Sequence, residues 1–85
     1  MAKTTVSVIG MADRTRGTKK DTGATFDFCR VAFSFTNQFN KNDVAVVSVQ
    51  GVDLDKFNIK TGDVYLAVVN QINKVYYIDL IEPIF

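Results

Sequence analysis

Five short runs of β-branched and aromatic residues, none long or periodic enough for a stable helix, constrain this chain more than any other feature. They are Thr4–Met11 (TTVSVIGM), Thr25–Thr36 (TFDFCRVAFSFT), Val44–Gln50 (VAVVSVQ), Asp63–Asn70 (DVYLAVVN) and Lys74–Ile81 (KVYYIDLI). Residues of these types at a period of two read as strands. The segments between them are polar and carry turn residues. Asn37–Asp43 and Asn70–Asn73 read as turns, and Pro83 is expected to stop the fifth strand. The sequence therefore predicts an all-β domain.

Within the second run the apolar phase changes: Phe26 and Phe28 share one parity, whereas Val31, Phe33 and Phe35 share the other. A bulge near Cys29–Arg30 would bring both sets to the core; without one, the two early phenylalanines face outward. In the last two runs, Val64, Leu66 and Val68 are expected to meet Tyr76, Ile78 and Leu80 in a core seam. Tyr65 and Tyr77 then lie on the opposite face, suited to stacking or to a subunit interface. The connector Gly51–Gly62 could form a single helical turn capped by Asp53, with Leu54 and Phe57 plugging the core.

At 85 residues the chain makes one domain, residues 1–85, with a modest core. A single cysteine, Cys29, excludes an internal disulfide, and the absence of histidine argues against a zinc cluster. Oligomerisation is the remaining way to add buried surface, and a homodimer is expected, with Ile84 and Phe85 packing on the partner subunit. No phosphate-loop, dinucleotide or hydrolase motif is present. The expectation is a non-enzyme with no cofactor, no metal and no small-molecule substrate. Cys29 reads as a small buried hydrophobe. No run reaches the ~18 apolar residues of a membrane helix, and MAKTTVSVIG lacks the features of a signal peptide, so a cytoplasmic location without membrane association is expected.

The net charge is +1, but its distribution is uneven. Residues 1–30 carry six basic and three acidic groups (+3); residues 31–85 carry four and six (−2). Arg14, Arg16, Lys19 and Lys20 crowd the glycine-bearing stretch between the first two runs, and Arg30 follows. These five are candidate phosphate contacts, with Lys74 a sixth in the last turn. Phe26, Phe28 and Tyr77 are candidate platforms for base stacking, which tolerates any sequence. The order of elements, with a long first loop and a plug between the third and fourth strands, predicts a five-stranded OB-type barrel with a long basic loop between strands 1 and 2. The rival architecture is a small SH3-like barrel, and the alternative function is a protein–protein adaptor or oligomerisation barrel, SH3-like or OB, without nucleic acid.

This layout resembles the small single-stranded-DNA-binding (helix-destabilising) proteins of filamentous bacteriophages, over nearly the whole chain. The local similarity is the step Gly23-Ala24-Thr25-Phe26 after a basic polar stretch, where that family often has Gly-Lys-Pro-Tyr. The resemblance implies a two-fold dimer that coats single-stranded DNA in phage or plasmid replication, in the bacterial host cytoplasm if the chain is phage-encoded. The aromatic at Phe26 would then stack on bases. RNA is the alternative ligand.

Overall fold

The computed structural model describes residues 2–37 and 39–84, and the side chains of all of these but Ala2. The chain forms β1 (Ala2–Met11), β2 (Thr15–Thr18), β3 (Thr25–Thr36), β4 (Asn42–Gln50), α1 (Gly51–Phe57), β5 (Val64–Ile72) and β6 (Val75–Ile84). The expected β character holds, as one antiparallel sheet of six strands rather than five. The added strand is β2, which lies inside the stretch read as the long basic loop. Thr15-Arg16-Gly17-Thr18 has no apolar signal of its own; pairing with Thr25–Phe28 makes it a strand.

β1 is central. Its Val6 and Val8 point inward, and it pairs with β3 on one edge and β5 on the other. β3 is the longest strand. One of its edges takes β2 and then β1; the other takes β4 from Phe28 to Thr36 without a register shift. The bulge considered at Cys29–Arg30 is therefore absent. An irregularity lies in β1 instead, where the register steps from Val8 to Gly10. With β3 unbroken, Cys29, Val31, Phe33 and Phe35 all face the core, and Phe26, Phe28 and Arg30 take the outer side.

The seam expected along β5 is out of phase by one residue. Tyr65 and Ala67 are buried, at 1% and 0% exposure, whereas Val64, Leu66 and Val68 are half-buried on the outer side. Apolar side chains at both parities leave period two unable to choose. The choice is made by neighbours: Val6 of β1 stands opposite Tyr65, and Ala67 and Val69 stand opposite Leu80 and Ile78. Tyr76, Ile78 and Leu80 pack on the core as expected. The Tyr65 ring meets Phe57 edge-on at 5.6 Å, and its hydroxyl reaches the Asp63 carboxylate at 3.1 Å. Burial, then that carboxylate, pushes its phenol up to about 12.

Leu54 and Ile59 fill the core from α1 and the residue run after it, with Phe57 half-buried beside them. Asp53 lies in the first helical turn rather than at the cap, which is Gln50 with no side-chain cap bond. Its charge suits the positive end of a helix. Pro83 does not end β6; it stands opposite Tyr65 inside the strand. Among the described residues β6 pairs only with β5, and such an edge tolerates a residue without an N–H. The β5–β6 turn also moves. Asn70 and Gln71 are paired with Tyr77 and Tyr76, and the reversal falls on Asn73–Lys74, both with positive φ as a type I′ turn requires.

β4 and β6 exchange no ladder hydrogen bonds among the described residues, so the sheet is not closed by its backbone. Tyr76 bridges this gap. Its hydroxyl donates to Asp43 Oδ2 at 2.6 Å, and its ring meets Phe35 edge-on at 5.0 Å. The bond holds the Asp43 carboxyl below, and the Tyr76 phenol above, their ordinary values. No helix is long and apolar enough to cross a membrane among the described residues. Ile84 is 41% exposed, and Phe85 lies outside the described residues.

Candidate nucleic-acid interface

The β2–β3 hairpin is closed by a compact turn. The Lys19 N–H donates to Ala24 O (2.8 Å), and the Gly23 N–H donates to Lys19 O (2.9 Å). Gly23, at φ +71°, supplies the left-handed residue this reversal needs. Lys19 and Lys20 stand exposed at the tip.

Below the tip the hairpin has two different sides. One carries Phe26, Phe28 and, farther down β3, Arg30. The two rings are half-buried, with centroids 6.3 Å apart and planes tilted by 47°. Gly17 stands directly across from Phe26, and a Cβ there would come within 2.5 Å of the ring's Cζ. The absence of a side chain at Gly17 thus lets the Phe26 ring lie down on β2. Gln50 and Ser48 of β4 flank Phe28 and Arg30 on the same surface, and both are exposed.

The opposite side is built from ion pairs. Arg14 grips Asp27 through Nε (2.7 Å) and Nη2 (2.6 Å), and it also donates from Nη1 to Asp55 of α1 (2.8 Å). The Gly51 carbonyl lies 3.5 Å from Nη2. A Cβ on Gly51 would overlap the Asp27 carboxylate, so a glycine at the start of α1 is needed for the hairpin to dock there. The Arg14 bonds hold both carboxyls well below the usual range and raise the guanidinium in turn. Arg16 shares this side, 3.4 Å from Asp27, with its side chain 64% exposed. Cys29 lies buried beneath the hairpin root, its thiol donating to Ala12 O at 3.0 Å.

The structure thus brings Arg16, Lys19, Lys20, Phe26, Phe28 and Arg30 onto one projection. It places Arg14 among carboxylates, where its donors are engaged. Lys74 and Tyr77 lie elsewhere. Tyr76 ties the start of β6 to Phe35 and Asp43, seven residues along β3 from Phe28, roughly 24 Å at about 3.4 Å per residue. Tyr77 is 52% exposed on the outer side of β6. Two contributors escaped sequence reasoning. Gln50 and Ser48 join the surface only through the β3–β4 register. Phe39, 71% exposed, is not part of this surface: it projects from the β3–β4 turn at the far end of β3, where Asn37 Oδ1 accepts from the N–H groups of Phe39 (2.9 Å) and Lys41 (3.1 Å).

No group of three or more His, Cys, Asp or Glu is placed to hold a metal ion among the described residues. Compared with family models, with curated proteins and with solved structures, the chain matches none of them.

Proposed function

We propose that this protein is a non-catalytic binder of single-stranded DNA, built as an OB-type barrel and gripping the strand with the outer face of β2, β3 and β4. The strand order supports the barrel reading. With β2 set aside as part of the first loop, β1 pairs β3 and β5, β3 pairs β4, β6 pairs β5, and a helix joins β4 to β5. That order is the one an OB-type barrel would have, and the Tyr76–Asp43 bridge lies where such a barrel would close.

One observation carries the function: Phe26, Phe28 and Arg30 lie side by side on a solvent-facing strand, under a tip bearing Lys19 and Lys20. Unstacked bases would sit on the rings, and the cations would neutralise phosphates. Arg14 serves this reading as the anchor of the hairpin rather than as a phosphate ligand. The setting in phage or plasmid replication rests on the resemblance of layout. A protein–protein role is favoured by a different surface, the outer side of β5 and β6, and does not compete for these residues.

Fluorescence polarisation of labelled oligo-dT tests the proposal. With about four phosphates neutralised, affinity should fall about 50-fold between 50 and 200 mM salt. Matched RNA and duplex competitors rank the ligands. Affinity that does not weaken with salt rules out the phosphate contacts.

A further inference from the structure

The outer side of β3 and β4 does not end at Arg30. It continues through Arg30 with Ser48, Ala32 with Val46, Ser34 with Val44 and Thr36 with Asn42, each pair standing opposite in the ladder. The register is unbroken, so a single two-strand ribbon leads from the hairpin to the β3–β4 turn. From Phe26 to Thr36 it measures roughly 34 Å at the usual rise of an antiparallel strand.

The charge of this ribbon is one-sided. The chain has nine acidic residues, and none lies on the outer side of β3 or β4. The two that these strands contain, Asp27 and Asp43, take the other parity and are engaged by Arg14 and Tyr76. What remains outside is Arg30, small or polar side chains, and two valines, Val44 and Val46, left 54% and 61% exposed. A polyanion can lie along such a track with no like charge beneath it, and the flat faces of its bases can cover the valines.

The far end of the ribbon holds another aromatic and another cation, Phe39 and Lys41, both exposed. The turn that carries them is firmly tied. Besides the two bonds to Asn37 Oδ1, the Asn37 N–H donates to Lys41 O (2.8 Å) and the Asn40 N–H donates to Asn37 O (3.0 Å). None of these bonds uses the side chain at position 39, yet a phenylalanine is held there in water. A single exposed apolar residue needs no explanation by itself. At the end of an acid-free track that begins with two rings, it has one.

We infer that the bound strand runs lengthwise along β3, from the Phe26–Phe28 pair to Phe39. Phe39 is then a further stacking platform, and Lys41 neutralises one phosphate beyond the four counted above. This rests on the single-stranded-DNA reading and adds the path and the length of its ligand. An extended strand rises roughly twice the 3.4 Å per nucleotide of a stacked one. The track therefore holds about five nucleotides, toward the low end of sites on OB-type barrels.

The chain contains no tryptophan, so Phe39→Trp provides a single reporter at the far end. The test titrates this variant with oligo-dT of about eight nucleotides, a length that fills the track, while polarisation of a labelled copy follows binding. The indole emission should be quenched as the polarisation rises. Tyr77→Trp, off the track, should keep its emission. Phe39→Ala should weaken binding of the same oligonucleotide about fivefold, and Lys41→Ala should lower the salt slope by about 0.7. Position 39 is an exposed turn residue that contributes only backbone bonds, so these variants should fold. Emission from Phe39→Trp that stays constant while the oligonucleotide is bound overturns the path and leaves the single-stranded-DNA reading standing. So does a Phe39→Ala variant that binds as tightly as the wild type. If polarisation detects no binding at all, the path falls together with that reading.

Discussion

The two sides of the β2–β3 hairpin solve different problems with neighbouring residues. On the inner side, Asp27 takes two hydrogen bonds from Arg14, whose remaining donors hold Asp55. On the outer side, Phe26 and Phe28 make a tilted pair with no ionic partner, eased onto the strand by Gly17. Alternation puts Asp27 between the two rings in sequence and on the other side of the sheet in space. The charge that anchors the hairpin is thereby kept away from the surface that would stack on bases. A projecting hairpin gains precision at its outer face from being tied at its inner one.

The largest effect should come from stripping the outer side. Each base–aromatic stack contributes about 1–3 kcal/mol, so Phe26→Ala with Phe28→Ala should weaken oligo-dT binding by roughly 30-fold or more. Both side chains lie outside the main core, so the thermal unfolding midpoint should change little by comparison. Unchanged affinity in the double variant would remove the rings from the binding surface.

A smaller and more discriminating effect is expected from the inner side. Arg14→Ala should loosen the hairpin, seen as faster hydrogen exchange at Arg16–Thr18 and Phe26–Phe28, and weaken binding severalfold. Its salt dependence should keep the wild-type slope, because an anchor contributes no phosphate contact. Lys19→Ala or Arg30→Ala should instead each lower that slope by about 0.7. If Arg14→Ala lowers it by the same amount, the guanidinium is a phosphate ligand after all and the two sides are not separate.

How much of this contrast was readable beforehand depends on where each signal resides. The outward position of Phe26 and Phe28 was one of two outcomes that period-two counting offered; the register of β3 against β4 selected it. The Arg14 anchor was invisible. Its partners lie 13 and 41 residues away, and nothing local distinguishes an arginine bound for a carboxylate from one bound for a phosphate. Val31, Phe33 and Phe35 were legible as one face because that parity of the second run was apolar and the other largely was not. β5 defeated the same rule, since both of its parities are apolar. Its outer row stood out as unusual only after the inner one had been assigned.

The smallest expected effect concerns pH and bears on the inner side alone. Arg14 depresses the carboxyls of Asp27 and Asp55, so the native state holds their protons less tightly than the unfolded chain does. The stabilisation this provides is fully present above the unfolded carboxylate value of about 3.9, and it is lost as pH falls through the lower native values. From pH 8 down to about 5 the anchor should be insensitive to pH, and oligonucleotide affinity should be flat across that window. Below about 4 the amide exchange of β2 should accelerate relative to that of β1, because the carboxyls that hold the hairpin take up protons while the apolar core contains no such group. Loosening of β2 already at pH 6 would mean that Asp27 or Asp55 titrates as a raised acid, well above the ordinary carboxylate value. The Arg14 clasp would then not be what holds the hairpin in place.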